Sequence, residues 1–323
     1  MPIAVNSRNL IRLSVIVTSY TAERFGDVLD LINSARAQKN PIELVFVIEK
    51  DVNLKKKLES YLEESKFSYK LVFSQARLGL ANARNIGIDK SSGEYVAFVD
   101  DDAVLSPNWS ASVIEILHKY PKAIGCTGPV RPVWLNDASD WFPRSLYWII
   151  GCTTWRDFNH ERLVDHAPGV NMIFRRDAMG ATRFIDKFTD GVGSLGKVGL
   201  VGDDLDFVIR LISGTQSKLV YSPDIVVYHK VPRYKLESSY IRKYAFWQAV
   251  AETRYNRLYG PKYRAESRKF FLEQSFRDLF YFVNVHSFAR KISAMGICLV
   301  FSMAGNLSTR FPRARLSVIL NKN

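Results

Sequence analysis

The sequence predicts an α/β protein with a mostly parallel sheet, followed by a basic, aromatic, mainly helical extension. Three observations carry this prediction. Short β-branched runs alternate with helical stretches from Leu13 to Asp102, an apolar run at Tyr95 to Val99 leads into three consecutive aspartates, and the net positive charge falls wholly after His229. Strands separated by helices form right-handed βαβ units whose sheet is covered on both faces, and ligands bind outside the carboxyl ends of such strands.

The elements follow in order. Leu13 to Thr18 is a β-branched strand, Asp27 to Gln38 a helix, and Ile42 to Ile48 a second strand. A charged helix over Asn53 to Ser65 leads to a third strand, Tyr69 to Phe73. Gly79 to Asp89 places helix formers between glycines, and Ser91-Ser92-Gly93-Glu94 turns the chain into the acidic strand. From Asp102 to Gly169 the pattern loosens around Pro129, Pro132, Pro143 and Pro168. The aromatics there, Trp134, Trp141, Phe142, Tyr147, Trp148 and Trp155, read either as a second core layer or as a platform for a sugar ring or lipid. Leu205 to Ile212 is a helix with aspartates at its start, and a strand precedes His229.

Composition bounds the function. A chain of 323 residues with 47% hydrophobic content can bury a large core and an appendage. Cys126, Cys152 and Cys298 are far apart, which argues against a disulfide framework or zinc site and for a reducing compartment. Met1 to Leu13 has no apolar run of signal-peptide length, so the catalytic part is expected at the cytosolic side. Lys230 to Asn323 carries 18 Lys and Arg against 5 Asp and Glu, a surplus equal to the whole chain's +13. Aromatic residues interleave with this charge: Tyr240, Tyr244, Phe246, Trp247, Tyr255, Tyr259, Phe270, Phe271, Phe280, Tyr281 and Phe282. That mixture favours an anionic membrane surface over nucleic acid. Glu237 to Arg257 reads as an amphipathic helix. Ile292 to Leu307 is uncharged and apolar between Arg290-Lys291 and Arg310, slightly short for a bilayer span. It fits an in-plane or re-entrant membrane helix, with a buried helix of a soluble tail as the alternative.

The chemistry begins at Asp100, Asp101 and Asp102. Carboxylates crowded this closely ask for a cation, and the spacing Asp100-x-Asp102 suits Mg²⁺ or Mn²⁺ with room left for a diphosphate. A solvated acidic turn is the plain alternative.

Five segments in fixed order resemble the family 2 glycosyltransferases, which are inverting enzymes. These are Leu13 to Tyr20, Gly79 to Gly87, the aspartate triplet, Gly169 to Arg175, and Gly202-Asp203-Asp204-Leu205-Asp206. The resemblance spans about Leu13 to His229. It implies a GT-A fold, Rossmann-like, with a catalytic domain over residues 1–230 and a membrane-associating helical region over 231–323. A nucleotide half is expected to about residue 102 and an acceptor half beyond it. It also implies a nucleoside diphosphate sugar as donor, a divalent cation, and residue roles. Asp100 and Asp102 would hold the metal with His229, and Asp100 and Asp101 would join the nucleotide-binding residues, Asp100 near the ribose, although strand alternation would turn the Asp101 side chain away. Thr18, Tyr20 and Glu49 would line the nucleotide, although Glu49 stands where the family commonly has Asp, which leaves the base open. Arg84 would meet the diphosphate or pair with the acidic strand end. Asp204 takes the position of the catalytic base, with Asp203 and Asp206 as neighbouring anions. Asn171, Arg233 and Arg242 join Asp203 and Asp206 as acceptor or phosphate candidates. A narrower likeness at Arg144 to Thr153 points to archaeal members that build lipid-linked glycans by adding glucuronate to glucosyl-dolichyl phosphate. The implied partners are a UDP-sugar, a lipid-linked saccharide or polyprenyl phosphate, and the cytoplasmic membrane face, with no nucleic acid. A catalytically silent nucleotide-sugar subunit is the rival reading.

Overall fold

A computed structural model describes residues 12–65, 68–135, 141–153, 159–185, 202–260 and 285–308. Trp155, Phe270, Phe271, Phe280, Tyr281, Phe282 and Arg310 lie outside the described residues. The chain divides into two compact units, one of Met1–Arg131, Asp157–Lys187 and Asp203–His229, the other of Pro132–Arg156, Phe188–Gly202 and Lys230–Asn323. The second unit thus draws on two inner segments besides the tail.

The first unit opens with β1 (Leu13–Ser19), α1 (Phe25–Arg36), β2 (Ile42–Glu49), α2 (Val52–Ser65), β3 (Tyr69–Ser74), α3 (Leu80–Lys90) and β4 (Tyr95–Phe98). After them come β5 (Ala103–Leu105), α4 (Trp109–Lys119), β6 (Gly125–Thr127), β7 (Val130–Trp134), β8 (Arg162–Val164), β9 (Met172–Arg175) and α5 (Arg176–Met179). The last elements are α6 (Asp203–Thr215), β10 (Leu219–Tyr221), β11 (Val227–Val231), α7 (Ser238–Tyr259) and α8 (Val285–Ser308). An eight-stranded sheet has the order β3-β2-β1-β4-β9-β6-β10-β8, and a smaller one the order β5-β11-β7.

The nucleotide-side strands β1 to β4 are mutually parallel, as continuous apolar runs between helices require. Every residue of β2 is buried, and each fully buried Val, Leu or Ile contributes about 1.5–3 kcal/mol. α1 buries Val28, Leu31, Ile32 and Ala35, the i, i+3, i+4, i+7 stripe of a helix laid on a sheet. α3 needs Gly87 because a Cβ there would sit 2.3 Å from Ile16 Cγ2 of β1. β9 runs antiparallel between β4 and β6, a direction its residues do not reveal.

Strand register sets the site. Pairing of Phe98 with Met172 brings the chain just before β9 to the carboxyl end of β4. Pairing of Ala103 with His229 sets that imidazole beside Asp102. Ile16 pairs with Phe98, so the end of β1 lies level with the aspartate triplet.

In the second unit, α7 buries Ile241, Ala245, Phe246, Ala249, Val250 and Tyr255 on one face. The Tyr255 hydroxyl donates to the Gly202 carbonyl, at a φ of +118° where a Cβ would strike the tyrosine ring. α8 packs on α7 through Lys291, Ala294 and Cys298, with Arg242 over the Phe301 ring at 5.9 Å. Its opposite face exposes Ile292, Leu299, Val300 and Met303. Among the described residues no helix is long and apolar enough to cross a membrane. Phe142 and Tyr147 are buried and stacked on one another, whereas Trp134, Trp141 and Trp148 are half-buried.

Candidate active site

The aspartate triplet starts past the last residue of β4, on a turn, so strand alternation does not decide which way each side chain faces. Hydrogen bonds and charges do. Asp101 is buried, receiving Ser19 Oγ at 2.5 Å on one oxygen and Arg24 Nη1 at 2.7 Å on the other. Burial pushes its carboxyl up to about 6, against the pull of Arg24. Both Asp101 oxygens are thus spent on Ser19 and Arg24, and Asp101 is not among the ligand atoms that Asp100, Asp102 and His229 bring together. It shares Arg24 with Asp102, whose Oδ2 lies 3.4 Å from the same nitrogen. Asp102 Oδ1 is 3.1 Å from His229 Nε2, and both residues are buried.

Asp100, Asp102 and His229 present ligand atoms all within 4.8 Å of one another. Two carboxylates and an imidazole suit a divalent ion such as Mn²⁺, so the residues present fit the cation that the triplet asks for.

The second acidic cluster reaches the first through one side chain. Arg84, from the middle of α3, is almost fully buried. Its Nη1 donates to Asp203 Oδ2 at 2.9 Å while Nη2 lies 3.9 Å from Asp100 Oδ1. The guanidinium also sits 5.3 Å above the Phe184 ring, in an aromatic knot with Phe98, Phe174 and Phe207. Asp204 Oδ2 accepts the Gly169 N–H at 3.1 Å and its Oδ1 the Leu205 N–H at 2.8 Å. A Cβ on Gly169 would lie 2.9 Å from Arg84 Nη2 and 3.2 Å from Asp204 Oδ2, so only glycine leaves this junction open. Desolvation pushes the Asp203 and Asp204 carboxyls above the ordinary range, and Arg84 opposes the shift.

The other expected residues have the following surroundings. Glu49 Oε2 accepts the N–H groups of Leu78 and Gly79 at 2.8 and 3.2 Å, fixing the turn into α3. Thr18 is half-buried at the end of β1, and Tyr20 is exposed with Arg24 5.9 Å from its ring centroid. Asp206 is buried on α6 and pairs with Arg210 at 2.7 Å, apart from the Arg84 cluster. Asn171 has no exposed surface, accepts Trp109 Nε1 at 3.1 Å and donates to the Ile225 carbonyl at 2.8 Å, so it braces the core. Arg233 and Arg242 belong to the second unit, where Arg233 is exposed. Sequence reasoning missed Arg24. Its only sign was a basic residue soon after the first strand.

The chain matches the family model for glycosyl transferase family 2 over residues 14–182. It belongs to glycosyltransferase family 2. A glucosyl-dolichyl phosphate glucuronosyltransferase of Haloferax volcanii is 26% identical over 77% of this chain and 78% of that protein. Among solved structures, the mannosyltransferase PcManGT from Pyrobaculum calidifontis, in complex with GDP-Man and Mn²⁺, superposes with a TM-score of 0.55 at 16% identity. That match covers 94% of this chain and 88% of the other. TarS of S. aureus in complex with UDP gives 0.50 at 15% identity over 94% and 93%. These structural likenesses establish the GT-A α/β fold. The family 2 chain is accordingly a transferase that uses a nucleotide sugar.

Proposed function

We propose that this family 2 enzyme transfers a sugar, with inversion, from a nucleoside diphosphate sugar to a hydroxyl of a lipid-linked saccharide at the cytoplasmic face of a membrane. The observation that carries the reading is Arg84, whose single guanidinium contacts both the cation-site carboxylate Asp100 and the base-side carboxylate Asp203. Asp100, Asp102 and His229 would hold a divalent cation, which when bound stabilises negative charge on the departing diphosphate. Arg84 adds a fixed positive charge beside it, which costs no reorganisation as the bond breaks.

Asp204 acts as the base. It takes the acceptor hydroxyl proton while the acceptor oxygen bonds to the anomeric carbon and the diphosphate leaves from the opposite face. The upward push on its carboxyl strengthens it as a base. That supports a hydroxyl acceptor, because a polyprenyl phosphate is already an anion and needs positioning only. The name of the Haloferax relative supports glucuronate as the transferred sugar and glucosyl-dolichyl phosphate as the kind of acceptor, and we take UDP as the nucleotide that carries it. For peripheral membrane attachment, the support is the exposed apolar face of α8 together with the basic surplus after His229.

The test is a screen of UDP- and GDP-sugars with Mn²⁺ or Mg²⁺ and a lipid extract of the source organism, read by mass spectrometry. Nucleoside diphosphate release with a lipid gaining one sugar mass is expected. Donor binding without acceptor-dependent release would make the chain a silent binding subunit instead.

A further inference from the structure

The middle aspartate of the triplet has no place in the proposed metal set, yet it is the most deeply buried of the three. Both of its oxygens are used, one by Ser19 and one by Arg24. Arg24 is anchored by Asp101 at 2.7 Å and meets Asp102 Oδ2 at 3.4 Å, both through Nη1. With Oδ2 on Arg24, Asp102 turns its other oxygen to within 3.1 Å of His229. We propose that Asp101 and Arg24 form a positioning pair: Asp101 fixes Arg24, and Arg24 holds Asp102 so that one chosen oxygen faces the cation site.

This rests on the reading of Asp100, Asp102 and His229 as that site. A ligating carboxylate is commonly oriented by a hydrogen-bonding partner outside the metal's own ligands, and losing such a partner weakens metal binding about 10–100-fold. With Arg24 3.4 Å from Oδ2, Oδ1 is the oxygen that Asp102 would offer to a cation beside His229. Arg24→Gln alone would strand a buried Asp101, so the informative variant is Arg24→Gln with Asp101→Asn, which removes both charges and keeps shape.

The experiment titrates Mn²⁺ into the full chain, alone and with UDP, following the free-ion EPR signal, with circular dichroism and Tm as controls. The double variant is expected to keep its Tm and lose about 10–100-fold in Mn²⁺ affinity. Arg24→Lys should restore most of it, since one nitrogen makes both contacts. A merely structural role predicts lost Tm and no rescue. Wild-type or tighter Mn²⁺ binding by the double variant, while Asp102→Asn loses it, overturns the pairing. If Asp102→Asn itself binds Mn²⁺ normally, the cation-site reading fails and takes this inference with it.

Discussion

Replacing Arg84 with Gln tests how the two acidic clusters are joined. Arg84 and Asp203 have side chains only 6% and 14% exposed and lie 2.9 Å apart, so removing the cation leaves Asp203 in a desolvated site with its neighbour Asp204. Breaking a buried pair from one side costs about 3–5 kcal/mol, a large share of the roughly 5–15 kcal/mol that holds a typical domain folded. Loss of the contact to the Phe184 ring works in the same direction. Neutralising the partner as well, with Arg84→Gln and Asp203→Asn, removes the stranded charge and should recover stability to within about 1 kcal/mol of wild type. Turnover should stay low in both variants, by about 10²-fold or more, because the double variant still lacks the positive charge proposed to stabilise the departing diphosphate. Urea denaturation and nucleoside diphosphate release separate the two effects. A single variant less than about 1 kcal/mol below wild type, or a double variant no more stable than the single, would refute the bridging role.

Three further outcomes follow from the same geometry. Gly169→Ala intrudes on Arg84 and Asp204 but on no backbone, so kcat should drop about tenfold with little change in Tm; an unchanged kcat means the junction is looser than drawn. Asn171→Ala strands Trp109 Nε1 and the Ile225 carbonyl, so stability should fall by about 2 kcal/mol or more while the acceptor KM of the remaining folded enzyme holds steady. A selective rise in acceptor KM would return Asn171 to the binding site. Glu43 is buried, which raises its carboxyl pKa, but hydrogen bonds from Lys70, Ser14 and Ser92 outweigh that and hold it down at about 2. Because the folded value is depressed, its stabilisation is present above about pH 4.5 and is lost as pH falls toward 2. Discounting for the exposed Lys70, Glu43→Gln should cost about 1–3 kcal/mol at pH 7 and converge on wild type at the acid end. Parallel stability curves across that range would contradict the assignment.

Much of the nucleotide half was legible because parallel strands write themselves as apolar runs between amphipathic helices. Leu13, Ile42 and Tyr69 begin their strands where the β-branched runs begin. The direction of β9 was not legible, since Met172 to Arg175 reads the same either way, and only pairing to β4 fixes it. Side-chain facing in the triplet is not legible from strand alternation for a related reason: strand pairing ends at Phe98, and beyond it Arg24, in the short turn of helix after β1, and His229 of β11 decide orientation. Asn171, carried toward the site by its motif, lies between a buried indole and a buried carbonyl, a bracing role that sequence does not distinguish from a binding one. The uncharged stretch from Ile292 looked like a membrane element as a whole, yet one side of α8 is spent on α7 and only the other is apolar and exposed.

The proposed function stands on the clusters at Asp100 to Asp102 and Asp203 to Asp204 being two halves of one transfer site. Its most direct test measures Mn²⁺-dependent donor binding and nucleoside diphosphate release side by side for wild type, Asp102→Asn and Asp204→Asn. Asp102→Asn should lose both, whereas Asp204→Asn should keep Mn²⁺-dependent donor binding and lose acceptor-dependent release. Turnover in both variants within about threefold of wild type would contradict it.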